Sequence, residues 1–127
     1  MAAEMKFAKT HEWIRPEAGG LATVGISAYA VEALTDLVFM QLPQVGRRVK
    51  AGESIGEIES VKAVSDVYAP VSGEIVAVNA AVPAALETLG KDPYGAGWLV
   101  QIRPDDPAEM ANLLDQTGYD ALVKAGH

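Results

Sequence analysis

A chain of 127 residues, half of them hydrophobic and 21% charged, has the balance of a globular domain with its own core. Ten lysines and arginines against 17 acidic residues leave a net charge of −7, which repels a phosphate backbone and argues against nucleic-acid binding. With no cysteine the chain forms no disulfide, thiol nucleophile or thiolate metal site, so any dithiol chemistry must come from an attached group.

The N-terminal MAAEMKFAKTHEW has neither the apolar core of a secretion signal nor the Arg-rich look of a transit peptide. No apolar run approaches the roughly 18 residues of a membrane span, so a cytoplasmic protein is expected. Candidate strands follow at Met5–Ala8, Glu12–Arg15 and Leu21–Ile26, with Pro16 and Gly19-Gly20 marking the turn between the last two. A short helix is expected over Ala28–Leu34 with Ser27 as N-cap. Leu37–Leu42 reads as a continuous apolar strand ended by Pro43 and Gly46.

From Val49 to Asn79 the chain alternates imperfectly, with Ile55 and Ile58 in SIGEIES, Val64, Val67 and Tyr68 in the next segment, and a turn at Ser72-Gly73. Many short strands at turn-rich spacing suggest a β-sandwich or flattened barrel. LPQVGRRVKAGE and APVSGEIVAVN each place a Pro ahead of a Gly turn and an apolar strand; two similar units flanking a central hairpin would produce this, as would a chance match of turn residues. Pro83–Leu89 is either a helical turn or a loop. Asp92-Pro93-Tyr94-Gly95 is a turn leading into a late strand, Trp98–Arg103, that buries Trp98. Then the period changes. Asp106 as N-cap, Pro107 at N1 and Glu109 at N3 start a helix with an apolar stripe of Met110, Leu113 and Leu114. A second helix begins at Thr117, buries Tyr119, Leu122 and Val123, and stops at Gly126.

Lys62 falls near the tip of a hairpin if the segments of EIESVKAVSD pair. Exposed turns collect lysines for solubility, so position alone proves nothing. A catalytic amine would need its pKa lowered toward neutrality, but Glu59 and Asp66 favour the ammonium and no His lies in the segment. Attachment suits the position better, because a modifying enzyme needs a protruding, open side chain and a travelling cofactor needs a rigid anchor. His11 reads as a strand-edge hydrogen bonder, since a metal site needs partners the chain hardly offers. Gly73 is expected to supply a turn conformation, and Gly95 and Gly97 lack a phosphate-loop context.

In order along the chain, HEWIR, VGIS, EALTDLVFMQLP, the long run VGRRVKAGESIGEIESVKAVSDVYAPVSGEIVAVN, DPYGAGWL and DPAEM resemble the H proteins of the glycine cleavage system. The resemblance implies a mainly β fold of two packed antiparallel sheets, a barrel-sandwich hybrid like lipoyl and biotinyl domains, with the short helix near 28–34 and C-terminal helices. Residues 1–127 would form a single lipoyl-carrier domain with a helical extension over 106–127. Lys62 aligns with the lipoylated lysine, making lipoate a covalent cofactor and lipoylating enzymes partners. The implied role is that of a carrier, not an enzyme. The P protein (glycine decarboxylase) would load the aminomethyl group onto the arm, the T protein (aminomethyltransferase) would pass the carbon to tetrahydrofolate, and the L protein (dihydrolipoyl dehydrogenase) would reoxidise the dithiol. A monomer is expected, since one hairpin must serve several enzymes.

Glu12 and Asp66 match family acidic positions near a cleft for the loaded arm, with Thr10 where a small hydroxyl residue is common; they would hold the arm's cationic amine. Otherwise Glu12 is a solvated strand residue and Asp66 a turn acceptor. Thr35 stands where the family usually has Gly, Gly90 where Asn is usual, and VPAALETL lacks the usual Ser-Pro. An H-like lipoyl donor or relay for other lipoylated enzymes would show the same hairpin. A biotin carrier sets its lysine between methionines, whereas Val61 and Ala63 flank this one.

Overall fold

The computed structural model describes residues 5–126. Its strands are β1 (Lys6–Phe7), β2 (Glu12–Pro16), β3 (Ala22–Ile26), β4 (Leu37–Gln41), β5 (Arg48–Val49), β6 (Ser54–Ser60), β7 (Val64–Tyr68), β8 (Gly73–Val78) and β9 (Val100–Pro104). The helices are α1 (Ala28–Leu34), α2 (Ala81–Ala84), α3 (Glu87–Lys91) and α4 (Gln116–Lys124). The strands form two antiparallel sheets, ordered β1-β2-β3-β9-β8-β5 and β4-β6-β7. This is the two-sheet architecture expected from the sequence. The two segments with similar turn signals pair directly, Arg48 opposite Glu74 and Val49 opposite Gly73.

The main core lies between the sheets and contains Ile14, Val24, Met40, Ile55, Ile58, Val67, Ile75 and Ile102, all buried. Each such side chain contributes roughly 1.5–3 kcal/mol by leaving water. A second cluster of Phe7, Trp13 and Tyr119 packs β1 and β2 against α4. Phe7 and Tyr119 stack with ring centroids 4.3 Å apart. Phe7 also exchanges backbone hydrogen bonds with Leu114, which fastens the C-terminal segment along β1.

Several local expectations need correction. Gly73 is the first residue of β8 and takes no turn conformation; a Cβ there would collide with the Arg103 carbonyl, so its role is close strand approach. Trp98 is only half-buried and precedes the strand; the fully buried indole is Trp13. The segment 83–89 forms parts of α2 and α3. Asp106 does cap the next element, accepting from the Ala108 N–H, but that element is a 3-10 helix, Pro107–Asn112. Glu109 does not reach back to complete a capping box; it accepts the Ser72 N–H at 2.8 Å, tying this helix to the start of β8. α4 is capped by Asp115, so it starts at Gln116, and Leu122 and Val123 are half-buried beside Tyr119. Leu37–Leu42 is a strand as read, yet Met40 alone of β4 is buried; Val38 and Phe39 are 55% and 48% exposed.

α1 matches its expected bounds, with the Ser27 hydroxyl accepting from the Ala30 N–H. It ends at Thr35, whose φ of 62° and ψ of −125° belong to the first central position of a type II′ turn. Glycine is the default there because a Cβ is strained at that φ. Thr35→Gly should therefore stabilise the fold by about 1 kcal/mol, read as a higher urea midpoint with an unchanged slope.

Candidate functional site

β6 and β7 pair Glu59 with Val64, so the chain reverses through Ser60, Val61, Lys62 and Ala63. Hairpins this tight favour turns with positive φ at their central residues. Here neither Val61 nor Lys62 has positive φ. Ser60 supplies the alternative: its hydroxyl, in a residue only 8% exposed, accepts the N–H groups of Lys62 at 3.3 Å and Ala63 at 3.1 Å. The Ser60 N–H donates to the Ala63 carbonyl at 2.8 Å, and the Val61 N–H to the Asp36 carbonyl at 3.0 Å. The turn is thus pinned from inside and from the α1–β4 connection. Lys62 projects from it into water, and the ion pairs among the described residues do not include it. Ser60 is not among the residues singled out from the sequence, although a hydroxyl residue two places before the lysine is a readable signal for a side-chain-closed turn.

Glu12 opens β2 and is 1% exposed, which excludes a solvated strand residue. Thr10 donates its hydroxyl hydrogen bond to one carboxyl oxygen, and the Tyr68 N–H donates to the other at 3.0 Å. β7 is an edge strand, so Glu12 occupies one of its free donors and joins the two sheets. Burial pushes the carboxyl up to about 7, against the opposing effect of hydrogen bonds from Thr10 and Tyr68.

The structure brings Thr10 and Glu12 into contact and leaves Asp66 apart from them. Asp66 is exposed on β7, two residues from Tyr68, and accepts from the Ser54 hydroxyl at 3.3 Å. It lines a depression of about 470 Å³ with Gln41, Arg47 and Gly56. Thr10 lines a second depression, about 450 Å³, with Lys9, Tyr68, Pro70 and Leu113. Asp66 lines the first and Tyr68, two residues along β7 and on the same face of the strand, lines the second.

His11, at φ 79°, follows the turn that joins β1 to β2. Its Nδ1 lies 2.7 Å from the Tyr119 hydroxyl, which is 2.6 Å from the Ser27 hydroxyl. His11 is a hydrogen bonder, as read, but its partner is the C-terminal helix. Burial raises the Tyr119 phenol, which stays neutral in this network. Among the described residues, no group of three or more His, Asp or Glu side chains is placed to hold a metal ion. No described helix is long and apolar enough to cross a membrane.

Residues 5–126 match the family model of the glycine cleavage H-protein. The chain is 54% identical over 121 residues to the glycine cleavage system H protein of Aeromonas salmonicida strain A449, covering 95% of this chain and 94% of that one. It is 52% identical over 122 residues to the protein of the same name from Escherichia coli O9:H4 strain HS, covering 96% and 95%. The crystal structure of a glycine cleavage system H protein from Mycobacterium marinum superimposes with a TM-score of 0.87 at 45% identity, covering 98% of this chain and 99% of that one.

Glu12 makes the fold pH-dependent in a defined direction. The unfolded carboxyl releases its proton near 4.5, whereas the folded one keeps it to about 7. Between those values the folded state binds more protons, so stability falls as pH rises and levels off above 7, a change of about 3 kcal/mol. Urea unfolding across that window should show the decline, and Glu12→Gln should remove it.

Proposed function

The chain belongs to the glycine cleavage H-protein family, and we propose that it is the lipoyl carrier of the glycine cleavage system, with lipoate in amide linkage to Lys62. The observation that carries this reading is the Lys62 side chain in water on a turn pinned by Ser60 and Asp36. The residues present fit the group. The amine is reachable, and a cysteine-free chain offers no thiol to exchange with a carried dithiol. When bound, the lipoyl group supplies a disulfide–dithiol couple that takes up the aminomethyl carbon of glycine and is regenerated by oxidation.

What this chain does is hold and present. Nζ attacks an activated acyl donor in its neutral form, so a base on the acylating enzyme takes the ammonium proton and the donor's leaving group departs as the amide closes. Ser60 keeps the turn in one shape whichever enzyme approaches. Glu12, Asp66 and Thr10 are the groups we assign to the loaded arm's cationic amine. A cation brought beside Glu12 favours its ionised form, so ionisation of that buried carboxyl and retention of the amine reinforce each other. The exposed Asp66 contributes on the order of 1 kcal/mol by such an attraction.

On this reading residues 1–127 are a single carrier domain, monomeric and cytoplasmic, visited by lipoylating enzymes and by the P, T and L proteins. Expressed with a lipoylating system, the chain should gain the mass of one lipoyl amide on the peptide holding Lys62, and Lys62→Arg should gain none. With the P, T and L proteins the modified chain should restore glycine cleavage; lipoylation without restoration would point to the relay role. Glu12→Gln with Asp66→Asn should speed spontaneous loss of the aminomethyl group about ten-fold.

A further inference from the structure

The three-stranded sheet leaves a group of large apolar side chains open to water beside Lys62. Val38, Phe39, Val61 and Val64 are 55%, 48%, 68% and 62% exposed. They are contiguous through the sheet register: Phe39 and Val64 both oppose Glu59, one from each side. Val38 is the extra residue of a bulge between the Leu37–Ser60 and Phe39–Glu59 pairs, and Val61 immediately precedes the lysine. Single exposed apolar residues are ordinary, but a contiguous cluster beside one turn marks a contact surface. Asp36, Glu57 and Glu59 lie among and beside these residues, and the ion pairs of the described residues (Arg15–Glu17, Arg47–Glu53 and Arg48–Asp105) engage none of them.

We infer that this patch is where the enzyme that acylates Lys62 docks, through an apolar contact area with a basic rim; the inference rests on the lipoyl-carrier reading. Reach selects this occupant. Nζ stands about 6 Å from its own Cα, five bonds away, so an enzyme closing a bond at Nζ must cover the turn and its flanking residues. Enzymes that work at the far end of a loaded arm meet it at a distance and need not touch the turn. Charge selects in the same direction. A chain of net charge −7 with unpaired carboxylates among the apolar residues attracts a basic face and holds it less well as salt rises.

The test uses the whole unmodified chain as acceptor for a lipoate ligase with lipoate and ATP, followed by intact mass. Phe39→Ser and the double variant Val61→Thr with Val64→Thr alter exposed side chains, so both should fold, which circular dichroism checks. Each should raise KM for the chain at least ten-fold with kcat within two-fold of wild type, and Phe39→Leu should restore it. Wild-type KM should rise with ionic strength. Once driven to full lipoylation, both variants should be reduced by NADH through dihydrolipoyl dehydrogenase, the reverse of its reoxidation step, with wild-type KM. Unchanged KM for acylation in both variants, with wild type acylated normally, overturns the patch alone. An equal loss with the dehydrogenase overturns its assignment to the acylating enzyme. A wild-type chain that takes up no lipoyl group overturns the carrier reading and the patch with it.

Discussion

The two sheets meet at the Glu12 carboxyl, one oxygen taking the Thr10 hydroxyl and the other the Tyr68 N–H. A carboxyl this deep in protein is held there by those donors, and removing either would leave a buried polar atom unmatched. The contact fixes one edge of β7 while β6 fixes the other, so the hairpin stands on a strand gripped from both sides. The tip at the other end of the hairpin has its own ties, the Ser60 hydroxyl and the Asp36 carbonyl. The same carboxyl also couples the fold to the chemistry assigned to it, since the proton it keeps in the folded chain is one that a neighbouring cation displaces.

Much of this was readable from residue order. α1 with its Ser27 cap, the Gly19-Gly20 turn and the lysine between two extended segments carry strong local signals, because caps and turns are decided by one or two residues. Which faces of the strands are buried was harder to read. Leu37–Leu42 looks like interior strand by composition, yet three of the five β4 residues between 37 and 41 point to water as fully as many polar residues do, because the bulge at Val38 shifts the register and no described element covers that face. Alternation cannot report that an apolar strand face stays in water.

The site divides along the same line. The exposed turn position of Lys62 was legible from the two extended segments that flank it, whereas its assignment as an attachment point came from resemblance. Thr10 and Glu12 were legible as a pair only through resemblance; their contact depends on a turn that puts His11 at positive φ, and the depth of Glu12 depends on β7 packing across it. Ser60 and Tyr68 act through one hydroxyl and one backbone N–H, and a backbone donor has no residue type to read. Thr35 is the reverse case: the departure from glycine was visible in the sequence, and the φ and ψ it must adopt explain why glycine is usual.

Among the described residues the free borders of the sheets are short, partly engaged or kinked. β1 and β5 have two residues each, Leu114 lies along β1, Glu12 takes the Tyr68 donor of β7, and the Val38 bulge bends β4. A straight unpaired strand would template stacking of further copies into cross-β assemblies. A chain that keeps oily side chains in water beside Lys62 has particular need of this arrangement, because two such patches would otherwise meet next to strands able to join.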